Sequence, residues 1–226
     1  MSSFFITGIG TDIGKTVVSA VLVEALQADY WKPIQAGNLD YTDADFIKDY
    51  TLNGKIIHPE AYRFTEAVSP HLAAKYEDKS IKINTIKIGK LNNHLIVEGA
   101  GGLMVPLSDN CLIKDLIKVL QLSVIIVSKN YLGSINHTLL TIEVLKQYNI
   151  PIAGIIFNGV PNPESESYIL KYSGVPLLGN IPKADIMSKG FVIQQAERLR
   201  KNILPLLQDV NSNSFSNPLS LDYESF

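Results

Sequence analysis

Gly8-Ile9-Gly10-Thr11-Asp12-Ile13-Gly14-Lys15-Thr16 follows the apolar run Phe4-Phe5-Ile6 and opens an amphipathic segment that extends from Val17 to Leu26. A strand, a glycine-rich loop and a helix in that order make a cradle for a phosphate chain. Backbone N–H groups of such a loop point at phosphate oxygens, and the helix N-terminus adds positive potential. Lys15 then reaches the β and γ phosphates, and the Thr16 hydroxyl suits Mg²⁺. The spacing departs from the common form, because five residues separate Gly8 from Gly14 where four are usual, and Ile9 stands where a glycine is expected. Gly10 keeps the longer loop supple. Gly-Lys-Thr alone would also fit an ordinary strand-to-helix turn; the flanking strand and helix favour a nucleoside triphosphate.

Outward from this loop, apolar runs alternate with helix-period segments. The expected strands are Phe4 to Thr7, Tyr30 to Pro33, Leu95 to Glu98, Val124 to Val127, Ile152 to Phe157 and Leu177 to Ile181. The expected helices are Val17 to Leu26, Ala44 to Tyr50, Ile113 to Leu120, Ser134 to Tyr148, Ser165 to Tyr172 and Val192 to Leu206. This rhythm predicts an α/β fold, a mostly parallel sheet with helices on both faces. Val124-Ile125-Ile126-Val127 is apolar without interruption, which marks a central strand buried on both sides. Ser69-Pro70 reads as a helix start, with serine at the cap and proline in the first turn. Pro33, Pro106, Pro151 and Pro182 punctuate the ends of runs.

The chain has 226 residues, 46% of them apolar, enough for one full core, with a formal charge of -2. One domain is expected over residues 1–208. After Gln208 the composition shifts to Asn, Ser and Asp, so residues 209–226 are expected to form a flexible or weakly docked tail. The charge balance gives no basic field for nucleic acid, and no apolar run approaches the ~20 residues that span a bilayer. Neither nucleic acid nor membrane is an expected partner. Cys111 is the only cysteine and the N-terminus lacks a secretory pattern, so a cytoplasmic location is expected.

Ligands of open α/β sheets bind beyond the carboxyl ends of the strands, which gives polar residues there extra weight. Glu98 ends Leu95-Ile96-Val97 and precedes Gly99-Ala100-Gly101-Gly102. A strand-end carboxylate beside a glycine loop calls for a cation, and Mg²⁺ takes oxygen ligands such as Thr16, one or two carboxylates and phosphate. Asp43 is the second acid; it reads equally as a helix cap or first-turn acid. Lys32 follows Tyr30-Trp31 and reads either as a site residue or as a lysine stretched over an apolar edge. Asn158 closes Ile155-Ile156-Phe157, where it bonds an adenine edge or turns the chain with Gly159.

Taken together, the sequence resembles the dethiobiotin synthetase family. The resemblance is carried by the lengthened loop from Thr7 to Thr16, Lys32-Pro33 with Gly37, Asp43, Ser69-Pro70-His71, Val97 to Gly102, Gly133-Ser134-Ile135-Asn136-His137 and Asn158, and it extends to about Leu206. It implies a P-loop nucleoside triphosphate hydrolase fold and a homodimer with the substrate site at its interface. It also implies an ATP- and Mg²⁺-dependent cyclo-ligase of biotin biosynthesis that joins 7,8-diaminononanoate and CO₂ to give dethiobiotin, ADP and phosphate. The nucleotide would then lie against Asp12, Ile13, Gly14, Lys15, Thr16, Val17, Asp43, Glu98, Gly99, Ala100, Gly101, Asn158 and Gly159. Thr16, Asp43 and Glu98 would hold the metal, and Lys15 and Lys32 would be catalytic. Thr11, Lys32, Ala36 and Gly133 to Asn136 would meet the substrate, the last four taking its carboxylate across the interface, while His137 packs or caps.

Two departures stand out. Ala36 replaces a frequent hydroxyl residue, and Asp12 replaces a glutamate. The rival readings are a related P-loop amide-forming ligase, which needs a different acceptor pocket, and a partitioning-type ATPase switch. The switch usually carries an early loop lysine, where this chain has Gly10.

Overall fold

The computed structural model describes residues 1–52 and 54–205. Along the chain run β1 (Ser3–Gly8), α1 (Lys15–Leu26), β2 (Asp29–Trp31), β3 (Ile34–Ala36), α2 (Asp43–Tyr50), β4 (Ile57–His58), β5 (Tyr62–Phe64) and α3 (Pro70–Tyr76). There follow β6 (Leu95–Gly102), β7 (Pro106–Ser108), β8 (Cys111–Leu112), α4 (Ile113–Leu120) and β9 (Ser123–Ser128). The last elements are α5 (Ser134–Gln147), β10 (Ile152–Asn158), α6 (Pro163–Ser173), β11 (Leu177–Ile181) and α7 (Lys189–Ile203). Every expected helix and strand is present. The end of the expected last helix at Leu206, residues 206–208 of the expected domain and the tail after Gln208 lie outside the described residues.

Seven strands form one sheet in the order β11-β10-β9-β1-β6-β2-β4, and every neighbouring pair is parallel. One rim therefore carries all seven carboxyl ends. The chain leaves β1 towards β2 and β4, returns through β6, then crosses to β9 on the other side of β1. That reversal leaves a crevice at the carboxyl end of the central strand, where α/β sheets bind ligands.

The pleat of β1 separates two cores. Phe4 and Ile6 face α1, Ile47 of α2, and Val192, Ala196, Leu199 and Ile203 of α7. Phe5 faces the other layer, built from α3, α4, α5 and α6 through residues such as Ala73, Ile117, Leu145 and Ile169. Val124 to Val127 are fully buried, as their unbroken apolar pattern predicts.

The finer elements depend on contacts that periodicity does not report. β3 pairs with β5 in a separate two-stranded sheet, β7 pairs with β8 as a hairpin, and β4 is a two-residue edge. Helix α2 starts one residue earlier than its pattern, because Thr42 and Asp45 close a capping box, with Thr42 N–H donating to Asp45 Oδ2 at 2.9 Å. Helix α3 does start at Pro70, yet Ser69 Oγ pairs with His71 Nδ1 at 3.0 Å instead of capping the backbone. No helix among the described residues is long and apolar enough to cross a membrane.

Candidate active site at the carboxyl rim

The loop after β1 hands the chain to α1 through Gly14, whose φ of 89° lies in the left-handed region. A side chain there would also strike Asn158, whose Nδ2 lies 2.1 Å from where a Cβ would stand. Asn158 Nδ2 donates to Ile13 O at 2.8 Å and so braces the loop from the end of β10. Lys15 folds back over the loop, with Nζ donating to Gly10 O at 3.1 Å. Burial lowers its pKa; Glu98 and Asp43 act against that, while Lys32 adds to it. A desolvated ammonium held by a single carbonyl is ready to exchange that bond for a phosphate oxygen.

Beside it, four side chains converge, three from α1, α2 and β6 and one from the segment after β2. Thr16 at the start of α1 places Oγ1 against Asp43 Oδ1 and 2.9 Å from Glu98 Oε1, and its one hydroxyl proton serves one carboxylate at a time. Lys32, just after β2, donates from Nζ to Asp43 Oδ2 and lies 3.7 Å from Glu98 Oε1. Burial opposes the Lys32 charge, but Glu98 and then Asp43 outweigh it and hold the pKa above the usual lysine value. Burial likewise opposes the Asp43 charge, and Lys32 outweighs it, leaving that carboxyl more acidic than usual. Asp43 thus combines its two sequence readings: it is a first-turn residue of α2 and a member of this cluster.

Tyr30 is a participant that sequence reasoning missed. Its hydroxyl, fully buried, donates to Glu98 Oε2 at 2.9 Å. Burial and then Glu98 push the phenol well above its ordinary pKa, so it stays a donor. The signal lay in period two, since Tyr30 and Lys32 are alternate residues of one extended stretch. Tyr30→Phe is expected to cost about 1.5–3 kcal/mol of stability, the range for a hydrogen bond to a charged group. Denaturant unfolding checks this, and an unchanged midpoint would mean that Glu98 needs no such partner.

The donor set fits Mg²⁺. Thr16 Oγ1, Asp43 and Glu98 offer hard oxygens around one point, three positions of an octahedron. Among the described residues there is no group of three or more His, Cys, Asp or Glu that could hold a metal, so the remaining positions call for phosphate and water oxygens. Charge argues the same way: Asp43 and Glu98 already engage Lys32, and a polyphosphate brings further negative charge.

A cleft of about 700 Å³ opens over this cluster. Thr11, Asp12, Gly14, Lys15, Thr16, Lys32, Ala36, Asp43, Glu98, Ala100 and Gly101 all border it, eleven of the residues singled out in the sequence. Ser69 and Pro70, a helix start and part of the family resemblance, also border it, together with Gln35 and Val105. Other expected residues stand apart. Ile13 is buried in the α1 core and borders a second hollow of about 450 Å³, with Lys129, Tyr131 and His137. Val17 packs on the same core. Gly99 is dictated by packing, since a Cβ there would come within 2.7 Å of the Phe5 ring. The Gly159 N–H donates to Ile181 O at 2.8 Å in the turn after β10. Gly133, Ser134, Ile135 and Asn136 open α5 outside the 700 Å³ cleft, and His137 accompanies them, with its Nδ1 2.7 Å from the Tyr131 hydroxyl.

Comparison with known proteins bears on this arrangement. A family model described as an AAA domain matches residues 2–189. The ATP-dependent dethiobiotin synthetase BioD of Cytophaga hutchinsonii is 50% identical over 204 residues, 89% of this chain and 98% of that protein. Its namesake from Christiangramia forsetii is 46% identical over 202 residues, 89% and 97% of the two chains. Among solved structures, the septum site-determining protein MinD of Pyrococcus horikoshii, complexed with Mg-ADP, superposes with a TM-score of 0.54 at 15% identity, covering 93% of this chain and 96% of that one. A plasmid partition protein of Borrelia burgdorferi bound to AMPPNP gives 0.55 at 11% identity, over 91% and 98%. Those two likenesses establish the P-loop ATPase fold, and the sequence relatives establish the family within it. The chain belongs to the ATP-dependent dethiobiotin synthetases.

Proposed function

We propose that this chain closes the ureido ring of dethiobiotin from 7,8-diaminononanoate, CO₂ and ATP in the cleft between Lys15, Lys32, Asp43 and Glu98. The observation that carries the reading is the meeting of two buried lysines and two carboxylates from separate elements over one rim of the sheet. An amine of the substrate captures CO₂ as a carbamate, whose anionic oxygen is already a nucleophile. No general base is then required, and the site works by alignment and charge neutralisation.

The carbamate oxygen attacks the γ-phosphorus and ADP departs, which gives a carbamic-phosphoric anhydride. Lys15 and Lys32 stabilise the negative charge spread over the equatorial oxygens of a loose transition state. The neighbouring amine attacks the carbonyl, phosphate leaves, and the five-membered ring closes. Mg²⁺ held by Thr16, Asp43 and Glu98 would neutralise phosphate charge when bound. Asn158 and Gly159 would border the adenine. The N-terminus of α5, from Gly133 to Asn136, would receive the substrate carboxylate of a second copy in a homodimer, since helix N-termini favour anions. The cytoplasm, which supplies ATP, is the proposed location.

The switch ATPases share the fold at 11–15% identity, against 50% for the synthetase relative, and this chain has Gly10 where the switch reading expects a lysine. One assay separates the readings. Incubated with diaminononanoate, bicarbonate and MgATP, the protein is expected to release one phosphate per dethiobiotin formed. Phosphate release indifferent to the diamine would overturn the proposal.

A further inference from the structure

Gln35 is the central residue of β3 and borders the 700 Å³ cleft with only 3% of its surface exposed. Its Nε2 donates to Gly37 O at 2.9 Å, and this bond fixes which way the amide points. The Oε1 atom is then left buried without a hydrogen-bond partner. Buried acceptors without donors are costly and rare in native proteins, so each calls for a reason. Thr7, Ser19, His58 and Asn130 also carry an unpartnered buried polar atom among the described residues, but none of them borders this cleft.

The chemistry of the neighbours narrows what would complete Gln35. Lys15 and Lys32 are donors only, suited to phosphate and carbamate oxygens. The carboxylates of Asp43 and Glu98 are already engaged by Lys32, Thr16 and Tyr30. An amide oxygen repels those same anionic oxygens and attracts N–H groups. Ala36 adds no hydroxyl to the cleft wall. We infer that Gln35 Oε1 accepts a hydrogen bond from an amine nitrogen of the diamine, making it a specificity-determining residue of the substrate site. The inference rests on the synthetase reading and deepens it. Gln35 would orient a nitrogen beside the phosphoryl-transfer cluster, the part that a hydroxyl at position 36 would otherwise play.

The test is calorimetric titration of the full chain with 7,8-diaminononanoate, and with ADP as a separate ligand. Gln35→Met keeps the length of the side chain and removes the acceptor. It is expected to weaken diamine binding roughly tenfold while leaving ADP affinity unchanged. The loss is expected to vanish for one of the two monoamines, 7-aminononanoate or 8-aminononanoate, that lacks the nitrogen in question. Equal diamine affinity in the variant and the original chain overturns the inference alone. Absence of diamine binding by the original chain overturns both the inference and the synthetase reading. Should Gln35→Met also lose ADP, a crystal structure of the unaltered protein with the diamine decides. An amine nitrogen within hydrogen-bond distance of Oε1 supports the inference, and one farther away overturns it.

Discussion

Lys15→Ala is expected to lose ATP-dependent turnover by roughly 10²–10³-fold or more, the scale on which a pre-positioned charge donor acts. The lysine sits at the base of the loop with its ammonium on a single carbonyl, a bond it can exchange for a phosphate oxygen. The effect on the fold has the opposite sign. Burial lowers the pKa of Lys15, which means that folding disfavours its charged form. That penalty is fully present below the lowered folded pKa and fades as pH rises from there toward the value of an unfolded lysine. At neutral pH the variant is therefore expected to be at least as stable as the original chain. Phosphate-release kinetics and thermal unfolding check both halves. A variant that retains turnover, or loses it only because it unfolds, would count against Lys15 as a phosphate ligand.

Lys32→Ala is expected to reduce ring formation by roughly 10²-fold while largely sparing ADP affinity, because the lysine faces the cleft from β2 and not from the phosphate loop. Here stability falls as well. Asp43 and Glu98 would lose the cation between them, a loss of about 3–5 kcal/mol for a broken buried pair. The pKa of Lys32 is raised, so its contribution is complete below the ordinary lysine pKa and disappears only as pH climbs through the raised value, above the neutral range. Asp43 sets the acid limit: its contribution is present above the ordinary aspartate pKa and is lost as pH falls through the lowered one. Isotope-traced product formation, ADP titration and unfolding at several pH values separate these effects. Unchanged ring formation in a folded Lys32→Ala protein would remove that residue from the catalytic list.

The two lysines were legible in the sequence for different reasons. Lys15 stands in a local motif whose backbone geometry follows from its own neighbours. Lys32 is read from its place at a strand end, and only the parallel sheet, with β6 set between β1 and β2, brings it to 3.7 Å from Glu98. The major strands announce themselves through unbroken apolar runs, as in Val124 to Val127. The small β3–β5 and β7–β8 pairs do not, because three-residue strands owe their existence to partners far along the chain.

Partnership also explains what was missed within the site. Tyr30 and Gln35 look like ordinary strand residues until their hydrogen bonds are known. The need for glycine at position 99 is likewise invisible until the Phe5 ring is seen against it. Asn158 does more than its place at a strand end implies, since its Nδ2 donates to Ile13 O and braces the loop.

A crystal structure with 7,8-diaminononanoate and a non-hydrolysable ATP analogue bound together tests the account most directly. The account predicts the γ-phosphate between Lys15 and Lys32, with the diamine nitrogens beside it in the cleft that Gln35 borders. A diamine bound elsewhere, or a triphosphate whose terminal phosphate points away from Lys32, would contradict it.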